Sequence, residues 1–288
     1  MVRVTITGSG TPVMVPGRAG PGALVEVGDD VKLQFDAGRA TSLRLTEAGV
    51  KLPDLDAVFI THHHSDHMSG LAELAMSFWL EQWGDTSPPL PVVAPIGPAA
   101  EIAEHLLDVW QDEMTLRAAH TGRRNNAWID VTRFEAGPEL TTVMEVGDVK
   151  VSAIGVRHEP IVPAVAYRVD TPAGSVVISG DTAVCPALEK IAQQATVLVQ
   201  EAFRSSAVPD GYLSDPEAIA AYHSDVGQIG EMAERAGVGT LLLTHVIPPP
   251  DTPEVKVGVV NDIRRAGYHG PVIVADDLDH VDFSPHPE

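Results

Sequence analysis

The chain has 288 residues, of which 44% are hydrophobic, so it is long enough to bury the core of one large domain. No apolar run approaches the roughly 20 residues that span a bilayer, and the N-terminus alternates like a strand rather than a signal peptide. We therefore expect a cytoplasmic protein without a membrane segment. The formal net charge of −21 repels phosphate backbones, so the sequence disfavours a large nucleic acid as a partner.

The first sixty residues predict a β-rich layout that leads into a histidine cluster. Alternating or apolar runs predict strands, and a short amphipathic stretch predicts a helix. Asp36 follows one of these strands, where it could be a turn residue or could hydrogen-bond a ligand side chain. The predicted strands cover residues 2–6, 23–27, 31–35 and 57–60, and the helix covers residues 41–48.

Four histidines and an aspartate lie within six residues directly after the last of these strands. Imidazole and carboxylate groups are the usual ligands of zinc and similar divalent metals. In an extended chain His62 and His64 point to one side and His63 to the other, and a turn then lets Asp66 and His67 face a second metal. A surface cluster or purification tag is the alternative, but the internal position after a buried strand argues against both. The stretch predicts a metal site.

The segment at about 71–127 is predicted to be largely helical and to lie near this site. Helices are expected from about Ser69 and over residues 98–112, whereas the polar, basic stretch 116–127 reads as a loop that could overhang a site. The tryptophans in or beside this segment could line a pocket for an aryl group, pack a core or form a dimer face. They are Trp79, Trp83, Trp110 and Trp128.

Three further ligand-type residues follow predicted apolar strands later in the chain. These are His158, Asp181 and His245. Asp181 could instead cap the helix that follows it. Ligands on strand termini around one edge of a sheet core would form a preorganised dinuclear site.

Together these motifs resemble the metallo-β-lactamase superfamily of dinuclear metallohydrolases, and the resemblance runs from Gly8 to about residue 275. It implies an α/β protein with a single domain over residues 1–288, an αββα sandwich of two mixed β-sheets flanked by helices. It also implies two divalent metal ions, with zinc favoured and manganese or iron as alternatives, and a hydroxide between them as nucleophile. The implied ligands are His62, His64 and His158 for one metal, Asp66, His67 and His245 for the other, and Asp181 as the bridge.

Four features indicate a branch of that superfamily: Asp66 with His67 in the first motif, the predicted strand 163–169, Gly180-Asp181-Thr182, and Tyr222-His223-Ser224-Asp225. With them the chain most resembles the ribonuclease Z and arylsulfatase-like branch. A histidine at the position of His223 lies beside the metals in that branch and assists the leaving group or the developing anion, although a helix-capping role is the alternative. The resemblance makes Asp36 a partner of a ligand histidine, and Glu201 is expected to orient His223. The implied catalytic residues are Asp66, Asp181 and His223.

Two departures from ribonuclease Z bear on the substrate. The branch's bacterial ribonucleases carry a long Gly-rich and basic arm that grips tRNA, but only a short hairpin separates His158 from Asp181 here. Residues 246–250 are Val-Ile-Pro-Pro-Pro, where those proteins have a Ser- and Arg-containing segment that binds phosphate. Together with the net negative charge, both departures disfavour tRNA as the substrate.

The expected function is hydrolysis of small anionic esters, either phosphodiesters or aryl sulfates. A lactonase or other carboxylic-ester hydrolase is the alternative, because uncharged substrates tolerate an acidic protein. A tRNA 3′-processing endonuclease and a non-catalytic metal-binding scaffold are less favoured. The resemblance and the apolar middle segment also suggest a homodimer.

Overall fold

Fourteen strands form two seven-stranded sheets in the computed structural model, which describes residues 1–82, 84–212 and 214–285. Trp83 therefore lies outside the described residues. The first sheet consists of β1 (Val2–Gly8), β2 (Gly22–Val27), β3 (Val31–Phe35), β4 (Ala57–Phe59), β5 (Leu90–Pro95), β6 (Ile129–Phe134) and β14 (His280–Phe283). The second consists of β7 (Thr141–Val146), β8 (Val149–Gly155), β9 (Val165–Thr171), β10 (Gly174–Ile178), β11 (Val197–Phe203), β12 (Thr240–Ile247) and β13 (Val272–Val274).

Both sheets are mixed, as the sequence predicts. The first has the order β14-β1-β2-β3-β4-β5-β6, antiparallel from β14 to β3 and parallel from β3 to β6. The second has the order β13-β12-β11-β10-β9-β8-β7, parallel as far as β10 and antiparallel beyond it. Each sheet therefore contains several parallel strands whose carboxyl ends meet at one edge.

The two sheets pack face to face through alternate side chains of their inner strands. Phe35 and Phe59 stack with ring centroids 4.8 Å apart, and Tyr167 of the second sheet packs against both rings. All three side chains are fully buried, and aromatic packing of this kind adds about 0.5–1.5 kcal/mol per pair beyond area burial. The Tyr167 hydroxyl donates a hydrogen bond of 2.7 Å to the carbonyl of Ile60, two residues before His62.

Helices cover the outer face of each sheet, which completes the αββα sandwich. Separate apolar clusters lie under the helices of the first sheet and under those of the second. Among the described residues, no helix is long and apolar enough to cross a membrane. The helices are α1 (Thr41–Glu47), α2 (Ser65–Met68), α3 (Leu71–Glu81), α4 (Pro98–His105), α5 (Gln111–Thr121), α6 (Pro186–Ala192), α7 (Pro216–Ala220), α8 (Val226–Ala236) and α9 (Pro253–Arg265).

The middle segment differs from its prediction in two places. The helix expected over 98–112 ends at His105, and the stretch 116–127, expected to be a loop, is helical as far as Thr121. Only Met114 and Ala118 of α5 are buried, one turn apart, so the sequence carries almost no apolar periodicity there. Strands β6, β7 and β14 were also missed because they lie at sheet edges and are largely exposed.

The tryptophans of this segment have different environments. Trp79 is fully buried in the core beneath α3, and its indole nitrogen donates to the carbonyl of Asn125. Trp110 and Trp128 are about half exposed. Trp110 lines a surface groove with α3 residues such as Met76. One of the three described tryptophans therefore packs the core.

Candidate metal centre

The candidate site forms where strand ends from both sheets meet. The histidine cluster follows β4 of the first sheet. His158 follows β8, Asp181 follows β10 and His245 lies within β12, all in the second sheet. Three of these four strands belong to the parallel parts of their sheets, where carboxyl ends share an edge. All ten predicted site residues lie around this edge.

One group of candidate ligands combines His62, His64, His158 and Asp181. The His64 Nδ1 atom lies 3.0 Å from His62 Nε2 and 3.2 Å from His158 Nε2. The Asp181 Oδ2 atom lies 4.0 Å from each of the two Nε2 atoms. Ligands at zinc-nitrogen distances around a tetrahedral ion are separated by about 3.3 Å, so one cation fits between these four side chains.

A second group combines Asp66, His67 and His245 with the same Asp181. The Asp66 Oδ2 atom lies 3.7 Å from His67 Nε2 and 3.4 Å from His245 Nε2. Asp181 Oδ1 lies 3.4 Å from His67 Nε2, and its Oδ2 lies 3.5 Å from His245 Nε2. The Asp181 carboxylate thus stands between the two groups, where the resemblance expects a bridging ligand.

Unpaired buried atoms show that this donor set suits cations. His67 Nε2 and Asp181 Oδ1 are buried without a hydrogen-bond partner among the described residues, and such atoms are costly unless something binds them. Burial lowers the pKa of His62 and His158, and it lowers that of His64 to about 4, which leaves imidazole lone pairs free. Burial also lowers the pKa of His67, but the nearby carboxylates outweigh it and raise this pKa well above its ordinary value. The carboxylate-rich group therefore attracts positive charge.

Asp36 and Thr61 fix the orientation of two candidate ligands. Asp36 Oδ2 accepts from His67 Nδ1 at 2.7 Å. The Thr61 hydroxyl lies 2.8 Å from the same Oδ2 atom and 2.9 Å from His62 Nδ1, so it links the carboxylate to a second histidine. Both contacts turn the Nε2 atoms toward the site. Sequence reasoning found Asp36 but missed Thr61, whose only signal is its place directly before His62.

A second set of hydrogen bonds surrounds His223. Its Nδ1 lies 3.1 Å from Glu201 Oε2, and the amide of Ser224 donates to Glu201 Oε1 at 2.7 Å. Burial lowers the pKa of His223, but the facing Glu201 outweighs it and raises this pKa to about 9. The other side of the imidazole faces the metal centre, because ligand atoms of His223, Asp181 and His245 lie within 4.8 Å of one another. This geometry agrees with the expected partnership of His223 and Glu201.

Left-handed backbone occurs at several of these strand ends. Asp36 has φ 56° and His245 has φ 47°, although neither is a glycine. Gly180, with φ 58°, precedes Asp181, and a Cβ atom there would lie 2.8 Å from the Cβ of Thr61. Such strain is retained where the surrounding structure requires it and is common at functional sites.

Comparisons with known proteins agree with this architecture. A family model described as a beta-lactamase superfamily domain matches residues 30–246. The protein named ribonuclease Z from Mycobacterium bovis strain BCG is 31% identical over 289 residues, which cover 99% of each chain. Among solved structures, the metallo-beta-lactamase fold protein YhfI from Bacillus subtilis has a TM-score of 0.70 at 21% identity, covering 98% of this chain and 100% of that one. The short form of human tRNase Z has a TM-score of 0.67 at 21% identity, covering 97% and 98%.

Proposed function

The chain belongs to the beta-lactamase superfamily, together with proteins named ribonuclease Z, and from this premise we propose a dinuclear metal-dependent hydrolase of small anionic esters. Phosphodiesters are the favoured class and aryl sulfates the second. The observation that carries the proposal is the position of the Asp181 carboxylate between two groups of imidazole and carboxylate ligand atoms. Relatives named ribonuclease support the choice of a phosphodiester over a carboxylic ester.

Two divalent cations fit this donor set, with zinc favoured by the number of imidazoles. His62, His64 and His158 would hold one, Asp66, His67 and His245 would hold the other, and Asp181 would hold both. When bound, the cations supply Lewis acidity and an acidified water at neutral pH.

The chain's own residues orient the ligands and supply a proton. Asp36 and Thr61 hold the imidazoles of His67 and His62, so that little reorganisation accompanies binding. His223 donates the proton on its Nε2 atom to the leaving oxygen, while Glu201 holds Nδ1 and stabilises the imidazolium. Because these groups are buried, their interactions with developing charge are stronger than in water.

Two features around the site support a small substrate. Strands β9 and β10, between His158 and Asp181, form a tight hairpin with Thr171 opposite Gly174 and no inserted arm. The net charge of −21 opposes binding of a polyanion. A second candidate is a ribonuclease that processes RNA 3′ ends, which the 31% identity to ribonuclease Z over 99% of both chains favours.

Hydrolysis of a matched substrate panel by the metal-loaded protein tests the proposal. The panel contains a bis-aryl phosphate, an aryl sulfate, a lactone and an RNA with a 3′ extension, and the chelated protein is the control. We expect metal-dependent turnover with the highest kcat/KM for the phosphodiester. A preference for the lactone would make the protein a carboxylic-ester hydrolase, and cleavage of the RNA alone would make it a ribonuclease. Two bound ions without turnover of any substrate would indicate a non-catalytic metal-binding scaffold.

We also propose that the protein forms a homodimer through the middle segment. Val109 and Leu116 are 84% and 73% exposed, and Trp110 beside them is 48% exposed. Apolar side chains grouped in this way are typical of interaction surfaces. Light scattering at several concentrations should give twice the monomer mass, and Leu116→Glu should shift it toward the monomer. A wild-type mass equal to one chain would contradict the dimer.

A further inference from the structure

Tyr222 lies beside two imidazoles of the candidate site. Its ring centroid is 5.2 Å from that of His158 and 4.9 Å from that of His223, and these two imidazoles are themselves 5.2 Å apart. The three rings form a nearly equilateral triangle. A candidate metal ligand and the proposed proton donor therefore share one aromatic neighbour.

Tyr222 is the most accessible member of this triangle. His158 and His223 are 1% and 6% exposed, whereas Tyr222 is only partly buried. Its hydroxyl oxygen has no hydrogen-bond partner in the described part of the chain. A molecule that approaches the two imidazoles consequently meets the tyrosine ring and a free hydroxyl.

From this arrangement we infer that Tyr222 is a substrate-contacting residue, whose hydroxyl donates a hydrogen bond to an unesterified oxygen of the phosphodiester and whose ring flanks the leaving group. The inference rests on the proposed function and assigns a substrate contact to the same site. A leaving group that receives a proton from His223 comes close to the Tyr222 ring, because that ring packs against the same imidazole. An aryl or other planar leaving group would pack against the exposed part of the ring.

The Tyr222 hydroxyl has the chemistry that suits an anionic substrate oxygen. A protonated phenol can donate to an anionic oxygen but cannot repel it as a phenolate would. Hydrogen bonds to charged groups are stronger than neutral ones, so the contact would affect turnover measurably.

The backbone carbonyl of Tyr222 makes a separate hydrogen bond. The Tyr222 carbonyl accepts from His158 Nδ1 at 3.0 Å, which turns the Nε2 atom of that histidine toward Asp181. Replacing the side chain leaves this carbonyl in place. Tyr222→Phe therefore removes the hydroxyl alone, and Tyr222→Ala removes the ring as well.

The experiment compares wild type, Tyr222→Phe and Tyr222→Ala after metal loading, with metal content measured in every sample. We expect Tyr222→Phe to retain its metal and thermal stability, while kcat/KM for a bis-aryl phosphate falls by about ten- to a hundredfold. The affinity for phenylphosphonate, measured by calorimetry, should fall by a similar factor. Tyr222→Ala should lower both further.

Tyr212→Phe is the matched control, because Tyr212 lies before α7 whereas Tyr222 follows it, and Tyr212 packs against neither imidazole in the described structure. It should behave like wild type. Unchanged kcat/KM and phenylphosphonate affinity in Tyr222→Phe would overturn the inference, as would a loss of metal, which would make the hydroxyl structural. A wild type that hydrolyses no phosphodiester would instead overturn the proposed function itself.

Discussion

Asp36 and His67 are 31 residues apart in the chain, yet their side chains meet at 2.7 Å through Oδ2 and Nδ1. The aspartate reaches this position from a backbone with φ 56°, and its amide donates to the carbonyl of Phe59 at 2.7 Å. Its Oδ1 atom accepts from the amide of Thr61 at 2.8 Å. One carboxylate thus joins the end of β3 to the start of the histidine cluster.

The first prediction concerns this carboxylate. Asp36→Asn should lower metal affinity by about 10- to 100-fold, because His67 loses an ionised partner while every candidate ligand stays in place. Titration against a competing chelator measures the change. Asp282→Asn, which weakens exposed pairings with Arg3 and His280, is the control and should keep wild-type affinity. Equal affinities for both variants would show that Asp36 does not orient a ligand.

The second prediction concerns Asp181. Asp181→Ala should loosen or release both cations and abolish turnover, since this carboxylate contacts both ligand groups. Metal content by mass spectrometry and hydrolysis of a bis-aryl phosphate are measured together. Asp170→Ala, a change on the same sheet away from the site, should retain both ions. Full metal content with normal activity in Asp181→Ala would refute the bridging role.

The third prediction tests whether His223 acts as a general acid or as a metal ligand. His223→Ala should keep both cations and slow turnover by roughly 10²- to 10⁴-fold, the range for a lost general acid. Glu201→Gln should cause a smaller loss of kcat, because the imidazole remains but loses its charged partner. Loss of metal from His223→Ala would assign this residue to the ligands, an arrangement that its proximity to Asp181 and His245 permits.

The fourth prediction concerns the backbone before the bridging position. Gly180→Ala combines a left-handed φ with a steric clash against Thr61, so its free energy of unfolding should fall by at least about 2 kcal/mol. Gly28→Ala has a similar φ of 63° and open space around the added methyl, so it should lose only about 1–2 kcal/mol. Urea unfolding in the presence of chelator measures both without a contribution from bound metal. Equal losses in the free energy of unfolding of Gly180→Ala and Gly28→Ala would mean that the clash with Thr61 is relieved.

The αββα fold could be predicted through the resemblance to the metallo-β-lactamase superfamily, and that resemblance is carried by apolar strands with ligand-type residues directly at their ends. His62, Asp181 and His245 could be placed from that pattern alone, and the structure brings them together. Thr61 and the carbonyl of Tyr222 could not be found in this way, since any residue carries a carbonyl and a threonine beside a strand is common. Their contacts depend on tertiary packing.

The helix α5 shows where local patterns are insufficient. Its polar sequence buries only Met114 and Ala118, so its helical structure has little signal in apolar spacing. The exposed edge strand β14 likewise depends on pairing with β1, which lies almost the whole chain length away. Trp79 could not be distinguished from a pocket residue because an indole suits a core and an aryl site equally well.

Each group of candidate ligands draws on both sheets. His62 and His64 follow the first sheet while His158 and Asp181 follow the second, and the other group divides in the same way between Asp66 with His67 and His245. A bound cation would therefore act as a crosslink between the two halves of the sandwich, and part of its binding free energy would become resistance to unfolding. The spacing of the sheets, to which the packed rings of Phe35, Phe59 and Tyr167 contribute, would in turn affect how well the donors fit the ion. Core packing and metal affinity would then both depend on the distance between the two sheets.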